Sequence, residues 1–77
     1  MWRVTYREPG IKDTDTFTTF EDAWAYSCIF PESMHDYKSW RYIAKKQVKE
    51  MFKTAYSITI AWIPGTDINI TIRALKS

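Results

Sequence analysis

Apolar and polar residues alternate from the second residue of this chain. Trp2, Val4 and Tyr6 fall on one side and Arg3, Thr5 and Arg7 on the other, the period of a half-buried strand over residues 2–8. Pro9-Gly10 then supplies a turn, Pro fixing φ at its first central position and Gly taking a positive φ at the second. A return strand follows over about Thr14 to Thr18, rich in β-branched Thr but weakly apolar, and therefore expected at a sheet edge or irregular. Thr18-Thr19-Phe20-Glu21-Asp22 is a helix start, because Thr18 with Glu21, or Thr19 with Asp22, has the three-residue spacing of a capping box. The first helix begins near Phe20, gathers Phe20, Ala23, Trp24 and Ser27 on one face, and is expected to stop at Pro31.

The longest helical pattern lies over Tyr37 to Phe52 and is predicted to run on to about Thr54, capped by Ser33 or Asp36. Tyr37, Trp40, Ile43, Ala44, Gln47, Val48 and Met51 share one face, while Lys38, Arg41, Lys45, Lys46, Lys49 and Lys53 share the other. Beyond it Tyr56, Ile58, Ile60 and Trp62 alternate with Ser57, Thr59, Ala61 and Ile63. Pro64-Gly65-Thr66-Asp67 turns that strand into a last one, in which Ile68, Ile70 and Ile72 alternate with Asn69, Thr71 and Arg73. The order is ββααββ and the fold class α+β, with a four-stranded, mainly antiparallel sheet and two helices packed on one face. That face bears Val4, Tyr6, Ile58, Ile60, Ile68, Ile70 and Ile72; the opposite face reads Arg3, Thr5, Arg7, Thr59, Ala61, Thr71 and Arg73 and is polar and cationic.

Composition refines this picture. Seventy-seven residues are expected to form one compact domain spanning 1–77. Aromatic residues make up 17%, more rings than a core this small is expected to bury, and surplus rings suit interfaces. A single cysteine, Cys28, rules out an internal disulfide, and no apolar run suggests a signal peptide or a membrane span, so the expected location is cytoplasmic. Residues 1–36 carry three basic against seven acidic side chains and residues 37–77 eight against two, so a net charge of +2 conceals an acidic first half and a basic second half.

Few residues suggest catalysis. Nucleophilic chemistry needs a base, and the lone His35 offers only Cys28, seven residues upstream, as a partner; Cys28 reads better as a small core filler. Asp13 and Asp15, with His35 and Asp36, match no metal-ligand spacing, and two glycines in turns make no phosphate loop. No enzyme activity, cofactor or metal is therefore expected.

The basic stripe is the feature that points to a partner. Lys38, Arg41, Lys45, Lys46, Lys49 and Lys53, bordered by Tyr42 and Phe52, form the expected partner-binding surface. It suits an acidic protein surface first and nucleic acid second, the latter on helix 37–53 or on the cationic sheet face. The plain alternative is a solvated face whose lysines pair with Glu21, Asp22 or Glu32. Membrane binding is disfavoured because the apolar face belongs to the core, and the Thr-rich strand edge leaves a homodimer open.

The segment TFTTFEDAWAY resembles the strand, threonine cap and acidic helix start of many small α+β domains, among them the AP2 type of DNA-binding domain. It covers eleven of the 77 residues, and the resemblance implies no function. In size and lack of chemistry the chain is also similar to accessory proteins of bacteriophages and mobile elements. That similarity implies a small inhibitor docking on a larger complex.

Overall fold

The computed structural model describes residues 1–34 and 39–75. Their order is β1 (Trp2–Glu8), β2 (Ile11–Phe17), α1 (Phe20–Met34), β3 (Arg41–Tyr42), α2 (Lys45–Met51), β4 (Ser57–Trp62) and β5 (Asn69–Ala74). The fold is α+β, as expected, but the antiparallel sheet has five strands in the order β2-β1-β5-β4-β3. The two ends of the chain thus pair in the middle of the sheet, β1 against β5. Each hairpin then contributes its other strand outward.

The β1–β2 hairpin closes on Pro9 and Gly10, with Gly10 at φ +82°, where L side chains are strained. So tight a turn leaves no slack, and pairing resumes at Ile11 opposite Glu8 instead of at Thr14. Of the two possible caps for α1, Thr19 is the one used: its Oγ1 accepts from the Asp22 N–H at 3.1 Å. Pro31 does not end this helix, which continues to Met34. A proline in the last turn forfeits one backbone bond, a cost that a helix already packed along the sheet tolerates.

The second helix is the main departure from the sequence pattern. Residues 37–54 do not form one helix: Arg41 and Tyr42 pair with Trp62 and Ala61 as a fifth strand, and α2 spans only seven residues. The Ile43 N–H extends the pairing to the Ile60 carbonyl at 2.9 Å. Trp-Arg-Tyr-Ile is a run of aromatic and β-branched residues that prefers extended backbone, and the β4 edge offers partners that a helix would forgo. Ala44 stands at the N-cap with no side-chain bond, so the caps expected from Ser33 or Asp36 are not used; both lie outside the helix, Ser33 within α1 and Asp36 outside the described residues.

The core is built from alternate residues of the three inner strands. Val4, Tyr6, Ile58, Ile60, Ile70 and Ile72 meet Ala23 of α1, Val48 of α2 and Trp40 in one buried cluster, so both helices cover the same sheet face. Trp2, Phe20 and Phe52 close one end of it with ring centroids 5.0–6.0 Å apart in edge-on geometry. The expected surplus of rings is thereby reduced, and among the described residues the markedly exposed ones are Tyr42 and Tyr56. A bulge between Thr59 and Ala61 shifts the β4–β5 register by one residue, leaving both Ile60 and Ala61 buried. Ala61, expected on the polar face, therefore points into the core.

Candidate functional site

The expected basic stripe does not survive folding as a continuous surface. Lys45 and Lys49 both reach the Glu21 carboxylate of α1, Lys49 Nζ at 3.0 Å, and Lys53 Nζ lies 3.1 Å from Glu50. Hydrogen bonds from Lys45 first, then Lys49, hold the Glu21 carboxyl below the ordinary carboxylate range. Lys49 also sits over the Phe20 ring, 5.8 Å from its centroid. Arg41 leaves the stripe for β3, Tyr42 is exposed beside it, and Phe52 is half-buried against Trp2 and Phe20. Lys46 remains exposed, and Lys38 lies outside the described residues. Ion pairs at a surface stabilise weakly, but they offset part of the charge a partner would feel. Two carboxylates, Glu21 and Glu50, thus offset half of the charge carried by Lys45, Lys46, Lys49 and Lys53.

The opposite face of the sheet keeps its charge. Strand register arranges its side chains in three cross-strand rows. The first runs Lys12, Arg7, Asn69, Trp62, Arg41; the second Thr14, Thr5, Thr71, Thr59; the third Thr16, Arg3, Arg73, Ser57. A four-threonine row thus lies between two rows that hold Lys12, Arg7 and Arg41 on one side and Arg3 and Arg73 on the other. Thr59 and Thr71 share a hydroxyl hydrogen bond of 3.1 Å across this floor. Ten of these residues, from Lys12 and Thr14 across to Ser57 and Thr59, line an open groove of ≈ 570 Å³.

Alternation along the strands removes negative charge from this face. Glu8, Asp13 and Asp15 are the carboxylates of the five strands, and each has the parity of the helix side: Glu8 opposes Ile11, Asp13 opposes Tyr6, and Asp15 opposes Val4. Asp15 is engaged there, accepting from the Tyr26 hydroxyl at 2.6 Å, a bond that pushes the phenol up to about 12. Arg3, Arg7, Lys12, Arg41 and Arg73 are all exposed, and none is in an ion pair among the described residues. The Arg73 guanidinium is placed by the ring of Tyr56, 5.2 Å from its centroid.

Sequence pattern located part of this surface and missed the rest. Arg3, Thr5, Arg7, Thr59, Thr71 and Arg73 stand on it as expected, and Ala61 does not. Lys12 was hidden by the late start expected for the return strand, although a two-residue turn at Pro9-Gly10 would have carried alternation back to Ile11. Arg41 was hidden by the helical reading of its segment.

The other sequence candidates do not assemble. No three His, Cys, Asp or Glu side chains converge among the described residues. Cys28 is half-buried in α1, while His35 and Asp36 lie outside the described residues. No helix among the described residues is long and apolar enough to cross a membrane. No family model, curated protein or solved structure matches the chain.

Proposed function

We propose that this chain is a non-enzymatic binding protein that takes nucleic acid on the open face of its sheet. The observation that carries this reading is the segregation of charge across the sheet: five cations and no strand carboxylate face outward together. Guanidinium and ammonium groups on both sides of a hydroxyl floor are donors matched to phosphate oxygens, and the groove they line is open to a ligand of that kind. An acidic protein surface would feel the same field. The centre of a protein interface, however, is depleted of charge and enriched in apolar rings, whereas the centre here is a threonine row. Nucleic-acid interfaces are the polar, strongly positive ones. Blocking a larger complex, the role implied by similarity to phage accessory proteins, then becomes competition for its nucleic acid.

Anisotropy of labelled generic oligonucleotides, single-stranded and duplex, tests this over a salt series. With about four phosphates neutralised, log K should fall with log salt at a slope near −3.6 for duplex, roughly a 100-fold loss between about 50 and 200 mM. Absence of binding at the lowest salt would retire nucleic acid and leave an acidic protein as the partner.

A further inference from the structure

We infer that Arg3 and Arg73, flanked by Ser57 and Thr16, form a discrete phosphate-binding subsite on the open face, an inference that rests on the nucleic-acid reading above. Arg3 of β1 and Arg73 of β5 are direct cross-strand partners on two of the inner strands. Side chains so paired have their Cβ atoms only about 5 Å apart, and like charges directly opposite one another are destabilising. Here the cross-strand neighbours of the pair are Thr16 beside Arg3 and Ser57 beside Arg73, so the row reads hydroxyl, cation, cation, hydroxyl.

Four donor-bearing side chains in line with no anion between them leave a repulsion that a bound anion would remove. A phosphodiester supplies what is missing: two non-bridging oxygens, each able to accept from one guanidinium fork, with the flanking hydroxyls donating to the same group. One member of the pair also has a ring contact: the Arg73 guanidinium lies 5.2 Å from the Tyr56 centroid, which narrows the side-chain freedom to be lost when the anion arrives. Arg7 and Lys12 are a second like-charged pair, but they sit on the outer hairpin beside its turn, without a ring beneath either cation in the described contacts. The inner pair is the better-built anchor.

This arrangement separates binding from stability in opposite directions, which a merely structural arginine would not do. Arg3→Gln removes the repulsion within the pair, so at low salt the free variant should melt about 1–4 °C above wild type, a gain that vanishes as salt screens the pair. Inorganic phosphate, compared with chloride at matched ionic strength, should raise the melting temperature of wild type more than that of Arg3→Gln. Oligonucleotide affinity should fall about tenfold with a salt slope shallower by about 1. Arg3→Lys, which keeps the charge and loses the fork, should fall between the two. An Arg3→Gln variant that melts lower than wild type at low salt, or that responds to phosphate as wild type does, overturns the subsite. Phosphate stabilisation that depends on Arg3, in a protein that binds no oligonucleotide, would retain the subsite and overturn the nucleic-acid reading. Oligonucleotide binding indifferent to Arg3 would do the reverse.

Discussion

Ile70→Ala is expected to cost about 3 kcal/mol and to lower the melting temperature by on the order of 10–25 °C. Ile70 is fully buried, on an inner strand, between Tyr6 of β1 and Ala61 of β4. Truncation there removes transfer free energy and leaves a cavity that two flanking strands hold open. A domain of this size has only about 4–12 kcal/mol of stability in total, so a large share disappears. Ile11→Ala, at an exposed position on the outer strand, should change stability by less than about 0.5 kcal/mol. Thermal melts of the two variants by circular dichroism make the comparison. Equal, small losses would mean that the inner strands do not hold the core described here.

The largest effect on binding is expected from reversing charge at opposite ends of the open face. Arg7→Glu with Arg73→Glu should weaken oligonucleotide binding at least 100-fold, since each charge-assisted contact is worth roughly 1.5–3 kcal/mol and each reversal adds repulsion. The fold should tolerate it. Glu at position 7 would face Lys12 and at position 73 would face Arg3, turning two like-charged pairs into opposite ones. The control is Lys45→Glu with Lys49→Glu, on the helix side, where Glu21 already offsets part of the charge. Binding there should change by no more than about threefold, because screening hides charges more than ~10 Å away. Anisotropy titrations at one salt concentration rank the three proteins. A larger loss in the lysine variant would return the binding surface to the helices.

How much of this was legible before folding follows from where period and partner agree. β1, the Pro9-Gly10 and Pro64-Gly65 turns, the start of α1 and the alternation of β5 are local signals, and the structure keeps each of them. Residues 37–54 were misleading for a physical reason. Trp40, Ile43, Val48 and Met51 are all wholly or partly buried, as a single helical face would require, yet Trp40 and Ile43 get there from the non-helical residues flanking β3 and the latter two from a short helix. Spacing alone cannot tell these cases apart; the waiting edge of β4, contributed by residues some twenty positions later, decides them. Ala61 failed in a related way. An apolar run from Ile60 to Ile63 does not announce a bulge, and one inserted residue turns the rest of the strand over.

The candidate site inherits those errors. Summing charge along residues 38–53 found a basic segment but could not show that Lys45 and Lys49 share the Glu21 carboxylate, because Glu21 is a neighbour only in three dimensions. The cationic face was visible in the alternation of β1 and β5 taken separately. That it forms three ordered rows, with every strand carboxylate turned away, required the register of all five strands.

Backbone amide shifts of isotope-labelled protein, followed while an unlabelled oligonucleotide is added at low salt, ask most directly where the partner lies. Perturbations should concentrate on Arg3, Thr5 and Arg7 of β1, Thr59 of β4, and Thr71 and Arg73 of β5, leaving Ala23 and Val48 in the helices unmoved. Shifts gathered on α1 and α2 with the open strands silent would contradict the account.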